Sequence, residues 1–86
     1  MKDELNKYKR ARLVEVASEL FYARGFVGTT LDAIADKLNV NKPFIYQFFS
    51  SKHEVLAAVV EQKIKRTTEL LDLTYQRAYE ASLVRG

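Results

Sequence analysis

The chain has 86 residues, with 14 Lys and Arg against 11 Asp and Glu for a formal charge of +3, no cysteine and a single histidine. A domain this short buries only about 60% of the surface its unfolded chain exposes, so one compact core is expected. The composition excludes a disulfide framework, a thiolate metal site and a histidine cluster. No metal or other cofactor is expected, and no window approaches the ~18 apolar residues of a membrane span. A soluble, cytoplasmic protein with no membrane partner is the expectation.

Glycine and proline are scarce and strict apolar alternation is missing, so the chain reads as all-α. A first helix is expected over about Lys7 to Arg24, where Leu13, Val16, Ala17, Leu20 and Phe21 form one stripe. Gly25 ends it by taking the left-handed conformation, with Phe26 folding back over the end. Thr29 and Thr30 are both candidate N-caps for a short second helix whose inner stripe is Leu31, Ile34, Ala35 and Leu38. Asn39 stops that helix, Asn41 caps the next, and Pro43 falls in the first turn of a third helix expected from about Lys42 to Phe49.

With only Asn39, Val40 and Asn41 between them, the second and third helices must cross steeply, the layout of a helix-turn-helix and also of a plain helical hairpin. Ser51 and Glu54 fit a capping box opening a fourth helix with Val55, Leu56, Val59, Val60 and Ile64 on its apolar face. Beyond Lys65 the periodicity weakens, and the sequence leaves open whether this helix continues.

Charge placement is uneven. Lys7, Lys9, Arg10 and Arg12 crowd the N-terminus, and Lys37 to His53 holds three lysines and no acid. Within that window NVNKPFIYQFFSSK carries four aromatic residues. On a helical wheel Ile45 and Phe49 lie within about 40° of each other and face inward, Pro43 and Gln47 point away, and Phe44 and Tyr46 sit on the flanks. An outer surface of Lys42, Pro43, Phe44, Tyr46 and Gln47, flanked by Lys37 and Lys52, suits the DNA major groove. Lysine reaches guanine or phosphate, glutamine pairs with adenine, a ring meets the thymine methyl and a tyrosine hydroxyl binds phosphate.

The order and spacing of RLVEVASELFYARGF, TTLDAIADKLNV, IYQFF and SSKHEVL resemble the tetracycline-repressor (TetR) family of one-component bacterial regulators, over about Arg10 to Val60. The resemblance implies a three-helix homeodomain-like helix-turn-helix domain over residues 1–50. Residues 51–86 would form a linking fourth helix and the start of a truncated C-terminal domain. It implies sequence-specific transcriptional regulation, with repression released by a small-molecule effector. Double-stranded operator DNA is the implied partner, and the absent C-terminal domain would bind the effector and make the homodimer. By the same resemblance the DNA-facing set is Thr30, Lys42, Pro43, Phe44, Tyr46, Gln47, Phe48 and Lys52, with Lys52 holding a phosphate. The chain departs from the family pattern at Asn39 for the usual glycine, Asn41 for serine and Pro43 for a frequent glycine. Phe48 stands where histidine or tyrosine is common, which removes one polar contact to the backbone.

Two other readings compete. Ser50, Ser51 and His53 are the only residues that tempt a catalytic reading, but helix capping is job enough for the serines. No enzyme is expected. A protein-interaction module docking a partner helix on the exposed rings is the alternative function, against which the acid-free window favours a phosphate partner.

Overall fold

The computed structural model describes residues 2–85, with side chains described for 3–84, so Met1 and Gly86 of the two expected segments lie outside it. Among the described residues there are four helices and no strand: α1 (Lys2–Arg24), α2 (Leu31–Leu38), α3 (Lys42–Tyr46) and α4 (Lys52–Arg85). No helix among them is long and apolar enough to cross a membrane.

The α1 helix begins about five residues earlier than expected, at Lys2. Its first turns bury nothing and so leave no periodicity to read, while Asp3 and Glu4 suit the positive end of the helix dipole. From Leu13 onward the stripe turns inward: Leu13, Val16, Ala17 and Leu20 are buried, joined by Val14, which the stripe had left out. The helix ends at Gly25 (φ 77°), whose amide donates to Phe21 O at 2.8 Å. The Phe26 ring then returns to 5.7 Å from that of Phe21, completing the expected cap.

The two candidate caps have separate jobs. Thr30 is the N-cap of α2, its Oγ1 accepting from Ala33 N at 3.0 Å. Thr29 is fully buried, and its hydroxyl faces Leu20 O at 3.1 Å and Gly25 O at 2.8 Å. The α2 helix closes in a Schellman arrangement around Asn39 at φ 60°, with Val40 N donating to Ala35 O and Asn39 N to Asp36 O. An asparagine thus fills the left-handed position that glycine usually takes. Asn41 Oδ1 accepts from Phe44 N at 3.1 Å and starts α3, with Pro43 in the first turn.

The third helix is shorter than expected. Regular helix stops at Tyr46, and the chain tightens as Phe48 N donates to Ile45 O at 2.9 Å. Phe49 N still reaches Ile45 O at 3.0 Å, so Ile45 and Phe49 both remain in the core.

Helix α4 opens on Ser51 Oγ, which accepts from Glu54 N at 3.3 Å. The return bond is displaced by one residue, with Glu54 Oε2 accepting from Ser50 N at 2.7 Å. The buried face of α4 is narrower than the expected stripe: Val55, Ala58 and Val59 are buried, whereas Val60 and Ile64 are exposed. The helix runs unbroken through Lys65 to Arg85, and from Lys63 onward every described side chain is exposed. One core results, with Leu13 and Val16 of α1, Ile34 of α2, Ile45 of α3 and Val55 of α4 fully enclosed.

Candidate nucleic-acid interface

Four of the sequence-predicted residues stand on an exposed surface at the start of α2 and along α3: Thr30, Lys42, Pro43 and Gln47. Tyr46 joins them at 52% exposure. Local chemistry sets this display, because Asn41 fixes where α3 begins and the inward Ile45 and Phe49 turn the opposite face to solvent.

Phe44 and Phe48 differ from the expectation that they face outward. Their rings meet edge to face at 5.4 Å, and both are half-buried against the core. Four residues apart, the two rings share one flank of the segment, and that flank is partly covered by the core.

The lysines are not electrostatically alone. Lys37 Nζ lies 3.0 Å from Glu19 Oε2, and Lys42 Nζ lies 3.3 Å from Asp32 Oδ2. Lys52 is half-buried and donates to two backbone carbonyls, Phe26 O at 2.7 Å and Thr29 O at 3.0 Å. Its ammonium also sits 4.2 Å from the centroid of the Phe26 ring. A window free of acids along the sequence is therefore supplied with acceptors in space by α1, α2 and the α1–α2 loop. Both ion pairs are exposed, so each is weak and can open toward a stronger anion.

Of the N-terminal cations, Arg10 stacks its guanidinium 5.0 Å over the Phe49 ring and Arg12 pairs with Glu15 at 3.7 Å. The aromatic residue at position 49 could have suggested the first of these, but nothing in the local spacing points to it. No group of three potential metal-ligating side chains occurs among the described residues.

Two short helices packed on the longer α1 around one core, with α3 presenting an exposed polar and aromatic edge, define a helix-turn-helix domain. Residues 13–59 match the family model described as bacterial regulatory proteins, tetR family, and the chain belongs to that family. It is 43% identical over 56 residues to the transcriptional activator FasR of Mycolicibacterium smegmatis, covering 65% of this chain and 26% of FasR. It is 38% identical over 81 residues to the uncharacterized regulator TtgW of Pseudomonas putida, covering 91% of this chain and 60% of TtgW. A crystal structure of a TetR/AcrR-family regulator from Thermobifida fusca is similar at a TM-score of 0.66 and 41% identity, covering 71% of this chain and 33% of that one. The chain thus spans between a quarter and three-fifths of the length of these relatives. They are transcriptional regulators, and the chain belongs to a family of non-enzymes.

Proposed function

We propose that the chain reads double-stranded operator DNA through the surface formed by Thr30, Lys42, Pro43, Tyr46 and Gln47. The observation that carries this reading is the display of these side chains in one exposed region by a helix-turn-helix core. Gln47 and Lys42 have the donor and acceptor chemistry to read base edges, while Thr30 and Tyr46 offer hydroxyls to phosphate. Phe44 and Phe48 shape the recognition segment from beneath, where their half-buried rings support its outer face.

In the wider protein, residues 1–50 act as the DNA-reading unit and residues from 51 onward link it to a domain that binds a small-molecule effector and makes a homodimer. The exposed apolar side chains Leu70, Leu71, Tyr75, Tyr79 and Leu83 along α4 support such a link, because they await packing partners. Membership of the family supports repression in the cytoplasm, released when the effector binds. Selection of bound sequences from random DNA by the full-length protein tests the reading: enrichment of a two-fold symmetric site supports it, and recovery of no preferred sequence overturns it.

A further inference from the structure

The face that displays Thr30 and Lys42 also carries an acid. Asp32 is the second residue of α2, two positions beyond the Thr30 cap, and its side chain is 69% exposed. A carboxylate on a surface that meets DNA is opposed by every phosphate nearby, so it needs partners of opposite polarity. The protein supplies two. Lys42 Nζ stands 3.3 Å from Asp32 Oδ2 across the turn, and the carboxylate lies in the first turn of α2, at the positive end of that helix's dipole. An ammonium carries three N–H groups, so this pairing leaves Lys42 two for other acceptors, while an ionised carboxylate keeps further acceptor sites and donates nothing. Asp32 and Lys42 thus hold an acceptor and two donors side by side at the junction of α2 and α3.

Base pairs differ in the order of donors and acceptors along their major-groove edges. A G·C pair shows two adjacent acceptors, N7 and O6 of guanine, followed by the N4 amine of cytosine, whereas in an A·T pair the adenine amine separates the two acceptors. Only the first order matches two donors beside one acceptor. We propose that Asp32 is a specificity-determining residue that reads one G·C pair in each half-site together with Lys42, the ammonium on guanine and the carboxylate on the cytosine amine. This rests on the DNA-binding reading above and adds to it a residue and a base pair. Because the ion pair is already formed, Lys42 reaches the groove with less side-chain freedom to lose, and the charge of Asp32 enters partly neutralised. On DNA without the matching pair the carboxylate has nothing to accept from, and only its repulsion of the backbone remains.

The test selects bound sequences from random DNA with the intact protein for wild type, Asp32→Ala, Lys42→Ala and the double variant, and then measures affinities for the wild-type operator and for a random duplex by fluorescence anisotropy. Urea melts confirm that each variant is folded. Wild type is expected to require a G·C pair at one position of each half-site, and both single variants to lose that preference at the same position. Asp32→Ala is expected to bind the operator about tenfold more weakly while binding the random duplex more tightly, and the double variant to lose less than the product of the single losses. A merely repulsive acid does not give opposite signs on the two DNAs. An Asp32→Ala variant that binds both DNAs more tightly, keeps every base preference, or relaxes a position other than the one relaxed by Lys42→Ala overturns the joint reading. Those outcomes leave DNA binding through this surface intact. A wild type that selects no sequence removes both.

Discussion

The ammonium of Lys42 lies 3.3 Å from Oδ2 of Asp32, an ion pair that joins the first residue of α3 to the second residue of α2 across the turn. Both side chains are substantially exposed, at 44% and 69%, so the pair contributes at most about 1 kcal/mol to stability. Its larger effect is electrostatic, because an acid held beside Lys42 opposes the approach of a phosphate backbone. Asp32→Asn is therefore expected to leave the urea midpoint nearly unchanged, to tighten binding to random duplex DNA and to steepen the salt slope by up to about 0.9. Weaker binding to random duplex in anisotropy titrations would instead mean that Asp32 aims Lys42 at phosphate.

On the proposed reading, Gln47 and Lys42 read base edges. Replacing either by alanine is expected to cost about 1 to 3 kcal/mol on the preferred operator and far less on random DNA, relaxing preference at one position in each half-site. Repeating the sequence selection with each variant checks this. Equal losses on both kinds of DNA would move the residue into the phosphate-contacting class.

The turn chemistry of the fold was legible because it is local. Asn39 announces a helix end through its tolerance of the left-handed conformation, Asn41 and Ser51 announce helix starts through side chains that accept from amides three residues on, and each is found in that role. The inward stripes of α1 and α2 were legible for the same reason. What escaped reading depends on contacts between elements. The partners of Lys37 and Lys42 stand on other helices, so counting acids within the window could not find them. The hydrogen bonds from Lys52 to a loop more than twenty positions earlier leave no local spacing signal at all. Thr29 and Thr30 are identical in type and adjacent, and only the packing of α1 against α2 decides which of them turns inward.

Thr29 should consequently matter more for folding than its polar side chain suggests. Its hydroxyl serves two carbonyls at the end of α1 from a fully buried position. Thr29→Val keeps the shape but removes this donor, at a cost of about 0.5 to 1.5 kcal/mol, the usual net worth of one hydrogen bond. Thr29→Ser, which retains the hydroxyl, is expected to lose less. Denaturant unfolding of the two variants side by side checks the order.

Phe49 is 4% exposed and closes the core where the third helical segment runs out, beneath the guanidinium of Arg10. Phe49→Ala is expected to cost about 3 to 5 kcal/mol, against a total stability of roughly 5 to 15 for a domain. Ile34→Asp places a carboxylate at a fully buried site and is expected to prevent folding. Circular dichroism melts decide both, and an unchanged melting temperature for Phe49→Ala would remove this ring from the core.

The two glycines of the α1–α2 loop separate backbone strain from steric clash. Gly25 sits at φ 77° with open space where a Cβ would go, so Gly25→Ala carries only the left-handed penalty of about 1 to 2 kcal/mol. Gly28 is not in the left-handed region, yet a Cβ there would lie 2.4 Å from the carbonyl oxygen of Arg24, a backbone atom that cannot rotate away. Gly28→Ala must therefore shift the loop, and that loop carries both carbonyls gripped by Lys52 and leads directly into Thr30. Gly25→Ala is expected to lower stability with operator affinity per folded molecule almost intact. Gly28→Ala should lower stability and affinity together, through displacement of α2's first turn. Affinity titrations corrected for the folded fraction distinguish the two, and equal affinities would mean that the loop can move without moving Thr30.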